Sequence, residues 1–286
     1  MKEPLTNMKT FIDTPHSDLA LEKSDARHTE RELNGFTVSS SDFGLSHAST
    51  LILEKNDLFS ESIRLSLQST VSSLIREAFD TEKLDSSAPV MVICLGNSSL
   101  TPDSIGPLCS KKIVATRQIK TASPDLFKAL GSREVCVIAP GVSAETGLES
   151  AESTKALTEL INPSAVIAVD SLMSRSPSRL FSAIQVSNGG IAPGAGVGNR
   201  RAELSKKTLG IPVISVGVPT VVSTTALLNQ ALESIDNEVT NAPIIRLNKN
   251  QKDFFVTLND CDTYVKIFSD IISAAINLTL VGINEI

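Results

Sequence analysis

The sequence has no tryptophan, one tyrosine and three histidines, and the histidines (His16, His28 and His47) all lie near its beginning. From residue 48 onward there is no imidazole, which argues against Ser-His-Asp or Cys-His catalysis and against histidine-rich zinc sites in that region. Scarce aromatics and a formal net charge of −6 argue against a nucleic-acid surface, which needs a basic excess and stacking rings. The four cysteines, Cys94, Cys109, Cys136 and Cys261, form no CxxC pair and read as reduced, intracellular thiols. No apolar run approaches the roughly 20 residues of a membrane span, and the polar first fifty residues lack a signal-peptide core. The expectation is a soluble cytoplasmic protein whose partners are small molecules or proteins, with no nucleic acid and no membrane.

What is present is a chain of 286 residues with 41% hydrophobic content, enough to bury a sizeable core. Residues 1–57 show little periodicity and read as a mobile or loosely docked arm, with strand hints only in "FTVSS" and "STLILE". From residue 58 the pattern is that of one α/β domain. "SESIRLSLQSTVSSLIREAF" repeats apolar residues at helical spacing behind Ser60. Short apolar runs follow: "PVMVICLG", "EVCVIAPG", "AVIAVDSL", "FSAIQVS" and "IPVISVGVP", read as strands buried on both faces. Helical patterns over residues 102–116, 149–161, 221–236 and 260–278 alternate with them. That alternation predicts an α/β fold with a mostly parallel sheet and helices on both sides.

Asp170 closes "AVIAVD" and so falls at the C-terminal end of a buried parallel strand, the edge where open α/β sheets place their sites. Asp103 follows "CLGNSSLTPD" in a strand-to-helix loop at the same edge, with Thr101 and Pro102 read as cap and first helical residue. Each alone fits a structural role. Together they form a candidate water-activating dyad, since two close carboxyls cannot both ionise easily. Asn97, Glu149 and Arg175 are candidate supporting residues; a first-turn helix position is the plainer reading of Glu149, and for Arg175 a solvated surface position stands level with pairing to a dyad carboxylate or an acidic substrate side chain. The stretch from Ser187 to Thr220 carries seven glycines. Its "GAGVGN" lacks the third glycine of a dinucleotide fingerprint, and no P-loop is present. Either a tight structural turn or a loop whose bare N–H groups bind an anion or an extended peptide remains open.

These blocks in this order resemble the germination protease family: "LGNSSLTPDSIGP", "VIAPGVSAETGLE", "NPSAVIAVDSLMSRS" and "IQVSNGGIAPGAGVGNRRAELSKKTLGIPVISVGVPTVV". The resemblance implies a three-layer αβα fold similar to hydrogenase maturation endopeptidases. It also implies a self-processing zymogen, a homotetramer, and small acid-soluble spore proteins as substrates in the cytoplasm of the developing spore. The family's two key aspartates fall on Asp103 and Asp170. Cleavage after an acid, before a bulky apolar residue and then alanine, is implied as well. "PHSDLALE" fits it, with a cut between Asp18 and Leu19 that makes residues 1–18 a propeptide and 19–57 an N-terminal extension ahead of a 58–286 peptidase domain. On this reading Gly189, Gly190, Gly194, Gly196 and Gly198 hold the substrate backbone, and Arg200 or Arg201 favours its acidic side chains. No stable cofactor is expected: kinship to nickel-sensing endopeptidases allows a transition metal, but two carboxylates without a core histidine make a poor site for one. The chain departs from the family's usual pattern at Ala192 and Ala195, where histidine and serine are typical, at Ser223, where aspartate is, and in lacking a long insertion before the last strand. The departures at Ala192 and Ser223 motivate one alternative, a relative that binds spore proteins or another protease subunit without cutting; a second alternative is a hydrogenase-type maturation peptidase that removes one C-terminal extension.

Overall fold

The computed structural model describes residues 17–44, 46–85, 87–192, 202–233 and 254–282. Its strands are β1 (Arg27–Leu33), β2 (Phe36–Phe43), β3 (Ser46–Ile52), β4 (Val90–Cys94), β5 (Val135–Ile138), β6 (Ala165–Ser174), β7 (Ala183–Ser187), β8 (Val213–Ser223) and β9 (Phe255–Val256). They form one sheet in the order β1-β2-β3-β7-β8-β6-β4-β5, with β9 against β8. The pairs β8/β6, β6/β4 and β4/β5 are parallel. This is the part of the sheet whose strands are joined through helices, and it carries the sequence-predicted aspartates.

The other half is antiparallel. Between the end of β6 at Ser174 and the start of β7 at Ala183 the chain makes only a 3-10 turn, Pro177–Arg179. A parallel return needs a crossover of a dozen or more residues, so β7 runs straight back down beside β8. Strands β1 to β3 then continue as a meander on β7. Residues 27–52 are therefore part of the main sheet and not a loosely docked arm, and no break in the sheet separates them from the residues after 57. The hints in "FTVSS" and "STLILE" correspond to β2 and β3, whereas β1, polar and exposed along most of its length, left no signal.

One face of the sheet is covered by the long helices α1 (Glu61–Thr81) and α9 (Cys261–Leu280) and the short α2 (Ile105–Ser110). Here Val92, Cys94, Ile167, Val169, Ile214 and Val216 meet Leu67, Val71, Phe268 and Ile272 in the larger core. The other face is covered by α6 (Ser150–Ile161) and the segment leading into α7 (Lys206–Leu209), over a smaller core of Met91, Ile93, Val166, Ala168 and Leu204. The α/β class and the helices on both sides are as the periodicity predicts. Two short helices, α3 (Arg117–Ala122) and α4 (Pro124–Leu130), occupy a stretch with no predicted element, and α5 (Ser143–Thr146) is a single turn. The helix expected over 102–116 is shorter, a 3-10 turn Thr101–Asp103 followed by α2, and the N-cap is Leu100, not Thr101. Helix α8 (Thr224–Glu233) starts later than expected because β8 runs on through Ser223. Strand β5 lies at the sheet edge and is only partly buried, unlike the other predicted core strands.

Candidate active site

Strand β4 stops at Cys94, paired to Val169 in the middle of β6, and the Leu95 amide donates to the Val169 carbonyl; β6 runs on beside β8 to Ser174, so Asp170 is the sixth of its ten residues and not the strand end that "AVIAVD" suggests. The next residues along are Gly96 and Asp170. Gly96 has φ +118°, and a Cβ there would meet the Asp103 carbonyl oxygen at 2.1 Å. Only glycine lets the 3-10 turn Thr101–Asp103 fold back this closely. Gly106, the second residue of α2, plays the same role from the other side, since its Cβ would lie 2.0 Å from the Leu95 carbonyl oxygen. The Asn97 amide donates both to the Asp103 carbonyl (3.0 Å) and to its Oδ2 (2.9 Å), fixing the carboxylate. Asn97 supports the site through its backbone; its side-chain Oδ1 accepts the Ser99 amide instead.

Asp170 is 5% exposed, and its Oδ1 accepts the Ser171 amide at 2.8 Å. Asp103, Asp170, Asn97, Gly189 and Gly190 all line one cleft with a volume of about 710 Å³. Gly190 (φ +83°) has no room for a side chain against the Leu204 carbonyl, 2.4 Å from its ideal Cβ position. Ile191 and Leu204 bridge the two ends of the Gly-rich segment. Gly194, Gly196, Gly198, Arg200 and Arg201 lie outside the described residues. Glu149 is the N-cap of α6, its side chain receiving the Glu152 amide in a capping box, and Arg175 lies past the polar end of β6 with its backbone amide on Glu22. Neither lines the cleft.

The floor of the cleft is polar in a regular way. Lateral pairing places Thr50, Gln185, Gly217 and Asp170 in one row across β3, β7, β8 and β6, so their side-chain positions share a face of the sheet. Ser187 and Ser215 form part of the next row on that face. At Leu172/Met173 the β6/β8 register shifts, leaving Thr220 as the extra residue of a bulge. Thr220 is 1% exposed, and its hydroxyl and that of Ser171 are buried at the cleft without a hydrogen-bond partner among the described residues. Gln185, Ser215 and Thr220 escaped the sequence reading. The available signal was the period-2 polarity of "IQVS" and "VISVG", polar residues on alternate positions of otherwise apolar strands.

One wall of the cleft is the segment that follows residue 16. Asp18 donates its amide to the Met173 carbonyl (2.9 Å), and its Oδ2 accepts the Met173 amide (2.8 Å). Leu19 is 0% exposed. The Glu22 carboxylate accepts from Ser17 Oγ, Ser174 Oγ, the Arg175 amide and the Ser176 amide, clasping the segment to the end of β6. Ser17 and Asp18 line the same cleft as Asp103 and Asp170.

Thiol chemistry has no foothold here. Burial pushes the Cys94 thiol up to about 12 and the Cys109 thiol well above its ordinary value. Among the described residues no group of three or more His, Cys, Asp or Glu side chains is placed to hold a metal ion, and no helix is long and apolar enough to cross a membrane.

Polar residues gathered beyond the end of β4 and along β6, β7 and β8, with Asp103 and Asp170 in one cleft, mark the candidate site of an α/β protein. The sequence model described as germination protease matches residues 43–241. A germination protease of Clostridium acetobutylicum is 40% identical over 220 residues, covering 69% of this chain and 67% of the relative. One from Caldanaerobacter subterraneus subsp. tengcongensis is 34% identical over 239 residues, covering 76% and 74%. Among solved structures, the [NiFe] hydrogenase maturation protease HycI from Thermococcus kodakarensis KOD1 aligns over 71% of this chain and 99% of its own, with a TM-score of 0.38 and 12% identity. The chain belongs to the germination protease family, a family of peptidases.

Proposed function

We propose that this chain is an endopeptidase that activates water between Asp103 and Asp170 and cuts small acid-soluble spore proteins after an acidic residue, before a bulky apolar residue and alanine. It is made as a zymogen, removes residues 1–18 by cutting between Asp18 and Leu19, works as a homotetramer in the cytoplasm of the developing spore and uses no stable cofactor. One observation carries the reading: the two aspartates and Asp18 line a single cleft.

In the proposed reaction one carboxylate takes a proton from water as the oxygen attacks the scissile carbonyl carbon. The other carboxyl, protonated, donates to the carbonyl oxygen. Collapse of the tetrahedral intermediate breaks the C–N bond, and the proton taken from water goes to the departing amine. The shared proton predicts activation on mild acidification.

Intact mass of the full chain before and after incubation at mildly acidic pH, beside Asp170→Asn, tests this. Loss of residues 1–18 in the wild type alone supports the reading. An uncut wild type, equal cutting by both chains, or a rate flat from acid to neutral pH overturns it. Ala192, at the cleft wall where the family usually has histidine, makes a non-cutting relative the second reading, and the uncut outcome would favour it.

A further inference from the structure

Gln185 lies at the centre of the contact between the Ser17–Glu22 segment and the sheet. Its Oε1 accepts the Ala20 amide at 2.6 Å, and its Nε2 donates to the Asp18 carbonyl at 3.3 Å. The orientation of the amide is not ambiguous, because flipping it would set N–H against N–H and oxygen against oxygen. These two peptide groups flank Leu19. One of them, the Asp18 carbonyl, belongs to the Asp18–Leu19 bond itself.

We infer that Gln185 is a substrate-holding residue of this peptidase: its side-chain amide grips the peptide on both sides of the residue after the cut and donates a hydrogen bond to the scissile carbonyl. The inference rests on the proposed cut at Asp18–Leu19. Three features of the fold support it. Gln185 is 7% exposed in a strand whose five residues are all buried, so its amide has little else to bond to and few rotamers to choose from. It stands in the same lateral row as Asp170, separated only by Gly217, which has no side chain to intervene. The residues it grips are packed away: Leu19 is 0% and Ala20 3% exposed, and the turn Ala20–Glu22 lies on β2 and β3, where Ser39, Ser41, Ala48 and Thr50 are buried. A bulky residue followed by a small one fits that surface. The acid is read separately, by the Met173 amide on Asp18 Oδ2.

As the carbonyl carbon becomes tetrahedral its oxygen gains negative charge, and a donor already aimed at it gains strength. Gln185 supplies a neutral N–H for this. A glutamate in its place keeps an acceptor for the Ala20 amide but presents only oxygen to the carbonyl, so it separates gripping from donation.

The test compares full-length wild type, Gln185→Ala and Gln185→Glu for the self-cleavage rate by intact mass, with amide hydrogen exchange at Ala20 measured in an Asp170→Asn background. Expected are a rate at least about tenfold lower in both variants, a thermal midpoint lowered by a few degrees but still well above the assay temperature, and faster Ala20 exchange in Gln185→Ala but not in Gln185→Glu. Either variant cutting at the wild-type rate, while Asp170→Asn does not cut, overturns the inference and leaves the proposed function standing. A Gln185→Ala chain whose thermal midpoint collapses, with Gln185→Glu cutting normally, assigns the residue to packing and overturns it too. If the wild type does not cut at Asp18–Leu19, the proposed function and this inference fall together.

Discussion

Gly96→Ala is the sharpest perturbation of the site that touches neither carboxylate. The new Cβ is placed 2.1 Å from the Asp103 carbonyl oxygen and 3.2 Å from its Oδ1, and the first of these atoms is backbone, so no rotamer change relieves the clash. Carbon and oxygen need about 3.3 Å, which forces the Thr101–Asp103 turn back by about 1 Å. That shift stretches both hydrogen bonds from the Asn97 amide to Asp103. Alanine also dislikes φ +118°, at about 1–3 kcal/mol, and overpacking adds about 1–3 kcal/mol. The expected loss of stability is therefore roughly 2–6 kcal/mol, within reach of the whole stability of a domain of this kind. A 1 Å misplacement of a reacting group is worth about a hundredfold in rate. Urea unfolding gives the first number, and self-cleavage followed by mass, at a temperature where the variant remains folded, gives the second. Gly131→Ala is the control: its φ is +59° at the end of α4 and nothing lies within 4 Å of the added carbon, so it pays the conformational cost alone, about 1–2 kcal/mol, with no effect on rate. A Gly96→Ala chain that cuts at the wild-type rate, or that is no less stable than Gly131→Ala, refutes the argument that this close approach positions Asp103.

Three further outcomes are expected. Because burial raises the Cys94 thiol to about 12 in the folded chain, against about 8.5 unfolded, both states hold the proton below about pH 8; above that the unfolded state loses it first, so stability falls by about 1.4 kcal/mol per pH unit for this thiol. Urea titrations from pH 7 to 10 read the slope, which Cys94→Ala should reduce, and alkylation of the native chain at pH 8 should leave Cys94 and Cys109 unlabelled. The Ser223 hydroxyl accepts the Ala226 amide at the start of α8, so Ser223→Ala should cost about 1 kcal/mol in thermal unfolding while Ser223→Asp, which caps as well, changes stability little. Glu22→Gln sets an amide donor among the donors that clasp the N-terminal segment, and losing one charge-assisted bond of about 1.5–3 kcal/mol should raise hydrogen exchange at the Asp18 and Ala20 amides about 10- to 100-fold.

The departure at Ser223 loses much of its weight once the capping bond is seen, because serine and aspartate do the same local work there. Ala192 keeps its weight, since it faces the cleft.

The sequence by itself determined the parallel half of the sheet, because β-branched residues buried on both faces leave a run such as "VMVIC" or "AVIAV" few other fates. It also pointed to Asp103 and Asp170, which do line one cleft, but Asp170 lies inside β6 and not at its end; what opens that position to the cleft is that the neighbouring β4 stops at Cys94. The antiparallel half was decided by tertiary structure: β1 and β2 are polar along much of their length and hold their shape by pairing onward from β7, a long-range partner that no local pattern announces. Gln185 belongs to the same category. A glutamine in a buried strand says that a partner exists, but only the folded chain brings Asp18 and Ala20 from more than 160 residues away to both ends of its amide.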